Sequence, residues 1–148
     1  MRLENKIAIV TGAGNGFGEA IAKRFAQEGA KVATVDINFD SATRVAREIG
    51  ANAIAIKADI ANREDVKASV NGTIAAFGTP QILVNNAGTT YRNQPLLNVD
   101  ETTFDRMFDI NVKSIFFFVQ AIVPAMRDAC GGVILNVGST AGIRPRQA

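Results

Sequence analysis

Gly12, Gly16 and Gly18 fall within the run Thr11-Gly12-Ala13-Gly14-Asn15-Gly16-Phe17-Gly18, directly after the strand-like run Lys6-Ile7-Ala8-Ile9-Val10 and directly before a helical pattern. A turn this rich in glycine admits φ > 0 and brings backbone N–H groups close to an anion with no Cβ in the way. At a helix N-terminus it suits a pyrophosphate lying on the N–H groups between Asn15 and Gly18, Phe17 among them. The spacing is Gly-x-x-x-Gly-x-Gly, which differs from the Gly-x-Gly-x-x-Gly dinucleotide fingerprint. Asp36 stands twenty residues after Gly16, at the end of a second apolar run. A carboxylate there can accept hydrogen bonds from both ribose hydroxyls of an adenosine and would repel a 2′-phosphate. Neither Asn15 nor Ile37 supplies a compensating cation, so the expected cofactor is NAD rather than NADP. Capping of the following helix is the alternative role for Asp36.

The elements that must position these residues are legible as alternating patterns. Five short apolar runs, Ile7 to Val10, Val32 to Val35, Ala53 to Ile56, Ile82 to Val84 and Val133 to Val137, are near-continuous, as strands buried on both faces of a parallel sheet require. Helical patterns lie between them: Phe17, Ile21 and Phe25 before Gly29, Val45 and Ile49 before Gly50, and Val66, Val70, Ile74 and Phe77 before Gly78. Each ends in a glycine suited to the left-handed position after a helix. Strands alternating with helices and joined by right-handed crossovers give an α/β fold, a doubly wound parallel sheet with helices on both faces. The interval Asn85 to Gly132 is about twice the others and predicts a loop over Thr89 to Pro95, then a long helix from roughly Thr103 to Ala129. Its apolar stripe reads Phe104, Phe108, Val112, Ile115, Phe116, Val119 and Val123. Phe116-Phe117-Phe118 sets aromatics on more than one face, which predicts burial on two sides or contact with a second subunit. Because the apolar residues of Ile115 to Met126 exceed what one helix face can bury, a homo-tetramer or homo-dimer using this helix is expected.

Composition narrows the function classes. The 148 residues are 47% hydrophobic and 20% charged, with a net charge of +2 dispersed along the chain, so no nucleic-acid stripe is implied. The N-terminal Met1-Arg2-Leu3-Glu4-Asn5-Lys6 lacks an apolar signal region, and Ile115 to Met126 is too short to span a bilayer, so cytoplasmic residence without membrane attachment is expected. Cys130 is the single cysteine and histidine is absent, which argues against a disulfide, a zinc site or a histidine-activated serine nucleophile.

In combination these features resemble the short-chain dehydrogenase/reductase family, over essentially the whole chain. Thr11 to Gly18 is similar to its Thr-Gly-x-x-x-Gly-Ile-Gly turn, with Phe17 in place of the isoleucine. Asp59-Ile60 resembles the acidic-aliphatic pair that touches adenine, Asn85-Asn86-Ala87-Gly88 the family's Asn-Asn-Ala-Gly, and Asn111 its helix asparagine. Val133 to Ser139 resembles the strand that ends in the catalytic serine, with Gly138 where a first serine often stands. The resemblance implies a Rossmann-type fold, cofactor contacts at Asn86, Ala87, Gly88, Asp59 and Ile60, a proton-relay water held by Asn111, and a hydrogen bond from Ser139 to the substrate oxygen. Asn86 and Gly88 making a turn, Asp59 capping a helix and Asn111 kinking one are the structural alternatives. The family's Tyr-x-x-x-Lys pair is absent: Tyr91 is the sole tyrosine and Pro95 follows it four residues later. Relatives carry that pair about thirteen residues beyond the serine, a few residues past Ala148, so residues 1–148 are expected to be the dinucleotide-binding domain of a truncated enzyme. The implied activity is interconversion of a secondary alcohol and a ketone. The alternative is a non-catalytic NAD-binding module.

Overall fold

The computed structural model describes residues 1–140. Its elements are β1 (Ile7–Thr11), α1 (Gly16–Gln27), β2 (Lys31–Asp36), α2 (Phe39–Ile49), β3 (Ala53–Lys57), α3 (Arg63–Phe77), β4 (Ile82–Asn85), α4 (Glu101–Phe108), α5 (Ser114–Asp128) and β5 (Val133–Asn136). All strand pairs are parallel, in the order β3-β2-β1-β4-β5. The register runs straight across the sheet through Ala55, Thr34, Val10, Val84 and Leu135. The chain builds outward from β1 in one direction and then returns to β4 on the other side, so the order reverses between β1 and β4. Ligands of such sheets sit at that reversal, beyond the carboxyl ends of the strands.

Successive strand residues point to opposite faces, which is why the inner runs are apolar throughout. Ile9, Ala33, Val35 and Leu83 face α3 and α5, packing with Val66, Val70, Phe118 and Ile122. Ala8, Val10, Val32 and Val84 face the other way, toward Ala22 of α1 and Val45 of α2. Phe118 is wholly buried, and its truncation to alanine would cost about 3 to 5 kcal/mol. The glycines after α1, α2 and α3 all have positive φ, at 94° for Gly29, 90° for Gly50 and 98° for Gly78, as the helix-stop reading requires.

Three expectations need correction. β5 is not buried on both faces: Ile134 packs inward, whereas Val133, Leu135 and Val137 are about half exposed, because among the described residues no helix covers that side of the edge strand. Phe17 leaves the α1 stripe and is 81% exposed, while the small residues Gly18 and Ala22 take the buried positions and let α1 approach the sheet. The long helix begins at Glu101, capped by Asp100 accepting from the Thr103 N–H, and passes through a π-helical turn at Asp109–Lys113. Its core face is Ser114, Phe117, Phe118, Ile122 and Met126, one position away from the expected stripe, and Phe104, Phe108, Val112 and Phe116 are about half exposed. Counted through the π turn, Glu101–Asp128 is one helix of 28 residues that contains an 18-residue stretch of mean hydropathy 1.3, long and apolar enough to cross a membrane by length and composition alone. Its buried face shares one core cluster with Leu83 of β4 and with Val66 and Val70 of α3.

Candidate functional site

A cavity of about 850 Å³ opens beyond the carboxyl ends of β1, β2, β3 and β4 and is closed on one side by α4. Its floor is made by the turn after β1, with Gly12, Asn15, Gly16 and Phe17. Asp36 and Ile37 line it from the end of β2, Asp59 and Ile60 from the segment after β3, and Asn86, Ala87 and Gly88 from the segment after β4. Ten of the thirteen expected site residues therefore meet in one crevice, as the strand-order reversal demands.

The glycine turn is built by backbone needs. Gly12 and Gly16 have φ of 62° and 55°, and a Cβ on Gly12 would lie 2.9 Å from Ala87 Cα. Gly18 sits beneath the cavity rather than in its wall, where a Cβ would collide with the Gly12 carbonyl oxygen. The turn is fastened to β4 by Thr11, whose Oγ1 accepts from the N–H groups of Asn86 and Ala87, both at 3.0 Å, and donates to the Val84 carbonyl at 3.3 Å. The Asn86 amide donates back to the Thr11 carbonyl at 2.9 Å, so Asn86 ties the two strand ends together. The side chains of Asn38, Asn62 and Asp100 cap α2, α3 and α4, but Asn15 makes no such bond at the start of α1. The first N–H groups of α1 therefore lack a side-chain cap at the end that borders the cavity, the arrangement an anionic ligand uses.

Neither acidic residue is a helix cap, since Asn38 and Asn62 take those positions. Asp36 accepts from the Gly14 N–H through Oδ2 and from the Asn38 N–H through Oδ1, both at 2.9 Å. Asp59 accepts from the Ala61 N–H at 3.0 Å, and its own N–H donates to Asp65. Asp36 is thus held on both oxygens and Asp59 on one, and each carboxylate keeps acceptor capacity for a ligand.

Asn111 lies in the π-helical turn and is exposed, not buried as an apolar helix face would make it. Its amide is engaged on both atoms by one loop residue: Oδ1 accepts from the Thr89 N–H at 2.8 Å and Nδ2 donates to the Thr89 carbonyl at 2.9 Å. Thr89 lines the cavity and Asn111 supports it from behind. Ser139 follows the carboxyl end of β5 and is exposed, outside the cavity lining. One wall escaped the sequence reading. Thr102, Asp105, Arg106 and Asp109 border the cavity from α4 and the turn after it, and their helical spacing was the available signal.

Behind the turn, Arg44 and then Lys23 hold the Glu19 carboxyl down at about 2 by hydrogen bonding. These charges join α1 to α2. The cavity as a whole offers a glycine turn with uncapped N–H groups, two aimed carboxylates and an apolar Ile60 side, which fits an adenine dinucleotide.

The family model described as short chain dehydrogenase matches residues 6–148. The chain is 43% identical to a 4-formylbenzenesulfonate dehydrogenase of Comamonas testosteroni, over 98% of this chain and 59% of that protein. It is 39% identical to a sorbitol dehydrogenase of Cereibacter sphaeroides, over 97% and 56%. The crystal structure of a 3-ketoacyl-(acyl-carrier-protein) reductase from Brucella melitensis complexed with NADH superimposes with a TM-score of 0.94 at 44% identity, covering 97% of this chain and 61% of that one. The chain thus spans somewhat over half the length of the curated relatives it matches.

Proposed function

The chain belongs to the short-chain dehydrogenase family, and from that premise we propose that it binds NAD(H) and serves an oxidoreductase that interconverts a secondary alcohol and a ketone. The observation that carries this reading is Asp36, held in the cavity wall by two backbone N–H groups with acceptor capacity left for ribose hydroxyls. The NADH in the Brucella melitensis reductase supports it, given the 44% identity between the two chains. When bound, NAD supplies the hydride acceptor.

The residues of this chain bind and orient. Gly12, Gly16 and the N–H groups of Asn15 to Gly18 take the pyrophosphate, Asp36 the adenosine ribose, Asp59 and Ile60 the adenine, and Asn86, Ala87 and Gly88 the nicotinamide side. Ser139 donates a hydrogen bond to the substrate oxygen, stabilising charge there, and Asn111 steadies the loop and the relay water beside it. Proton donation is assigned to no residue of 1–148, since the family's tyrosine and lysine are not among them. The partner is a small alcohol or ketone, the compartment the cytoplasm.

Titration calorimetry of the full-length protein should give much tighter binding of NADH than of NADPH, and absorbance should report NAD⁺ reduction by a secondary alcohol. Equal or tighter NADPH binding would overturn the cofactor assignment. NADH binding without turnover on any of a broad alcohol panel would favour a binding module.

A further inference from the structure

Arg44, in the middle of α2, makes a set of contacts that the cavity itself does not contain. Its Nη2 donates to Glu19 Oε2 at 2.6 Å and to the Gly14 carbonyl at 2.9 Å, and its Nη1 donates to Glu48 Oε1 at 2.9 Å and Glu19 Oε1 at 3.1 Å. Lys23 bridges the same two glutamates at 2.6 and 2.5 Å. Such a network on a surface contributes little to stability, and the Arg44 and Glu48 side chains are 47% and 44% exposed. An ion pair along α2 has no need to reach the carbonyl of a turn thirty residues earlier.

Gly14 is the residue whose N–H binds Asp36 Oδ2. Its peptide is thus held from both sides, the N–H by Asp36 and the carbonyl by Arg44, with Glu19 and Glu48 fixing the guanidinium. There is no slack at this point: a Cβ on Gly14 would lie 2.7 Å from Ser41 Cβ and 2.9 Å from Asp36 Oδ2. Arg44 is suited to the task because its planar fork can meet two carboxylates and a carbonyl at once, which a lysine ammonium cannot reproduce.

We propose that Arg44 is a positioning residue for cofactor discrimination, fixing Gly14 and through it the Asp36 carboxylate that separates a free 2′-hydroxyl from a 2′-phosphate. This rests on the reading of Asp36 given above. Loss of Arg44 frees the turn, so the ribose hydroxyls lose an aimed acceptor while a 2′-phosphate meets less repulsion.

The test is fluorescence titration of NADH and NADPH into the full-length wild type, Arg44→Met and Arg44→Lys, with thermal midpoints alongside. Arg44→Met should weaken NADH about fivefold and leave NADPH within about twofold, so that the preference falls, with the thermal midpoint close to wild type. Arg44→Lys should lie between, and it decides the matter if Arg44→Met does not fold. An unchanged preference, including equal weakening of both cofactors, would overturn the proposal, as would a larger loss for NADPH, which would make Arg44 a phosphate contact. A wild type that does not prefer NADH overturns the reading of Asp36 instead.

Discussion

Asp36 shows how much one side chain depends on backbone donors. The Gly14 and Asn38 N–H groups each hold one of its oxygens, so the carboxylate direction is set before any ligand arrives. Asp36→Ala should therefore narrow the gap between NADH and NADPH, chiefly by weakening NADH, as calorimetry on the full-length protein would register; an unchanged gap would remove the residue from discrimination. Ser139 is tested differently. In its proposed role as a donor to a developing charge it should affect turnover more than binding, so Ser139→Ala should lower kcat by about 10²- to 10³-fold with NADH affinity nearly unchanged. Unaltered turnover with any accepted alcohol would exclude it from the chemistry. Gly12, Gly16 and Asp36 were legible in the sequence as cavity-lining positions because glycines after one apolar run and an acid at the end of the next place them at neighbouring strand ends. Arg44 was not, because its contact with Gly14 joins positions thirty residues apart through the packing of two helices.

Among the elements, the strands and first three helices follow from apolar runs and glycine stops, whereas the helix from Glu101 to Asp128 could not be oriented from its pattern. Two adjacent stripes are apolar: Met107, Ile110, Phe118, Ile122 and Met126 on one, Phe104, Phe108, Val112, Phe116 and Val119 on the other. Periodicity alone does not say which faces the sheet. The π-helical turn was equally hidden, and it sets Asn111 against the backbone of Thr89. Asn111→Ala should loosen that loop, raising amide hydrogen exchange at Thr89 while leaving β1 and β4 protected; unchanged exchange would mean that the loop is held by other contacts. The α1–α2 network predicts a pH effect. Glu19 is held at about 2 against an ordinary 4.5, so its contribution is complete above about 4.5 and is lost as pH falls toward 2. The urea midpoint of wild type should exceed that of Glu19→Gln by a small margin at about pH 7, in keeping with a surface network, and the margin should shrink at about pH 3. A constant difference would show that the ion pairs do not stabilise the fold.

At the scale of the whole molecule, the stripe that does not face the core is the feature on which the expectation of a homo-oligomer rests. Phe104, Phe108, Val112 and Phe116 are 50%, 52%, 56% and 51% exposed, and Leu96 and Leu97 just before them are 77% and 97% exposed. Phe104 and Phe108 stack on each other with centroids 4.7 Å apart, and the Arg63 guanidinium lies 5.6 Å from the Phe116 ring, a cation suited to an aromatic interface. Contiguous apolar surface of this kind on a long helix marks an association site, and a helix meeting its own copy about a two-fold axis would bury the stripe against itself. The full-length protein should therefore sediment as a homo-dimer or homo-tetramer at micromolar concentration. The double variant Phe108→Glu and Phe116→Glu should sediment as a smaller species while keeping the wild-type far-ultraviolet circular dichroism, because neither residue lies in the core. A wild type that sediments as a monomer, or a double variant that keeps the wild-type assembly, would mean that the stripe is not the surface through which copies associate.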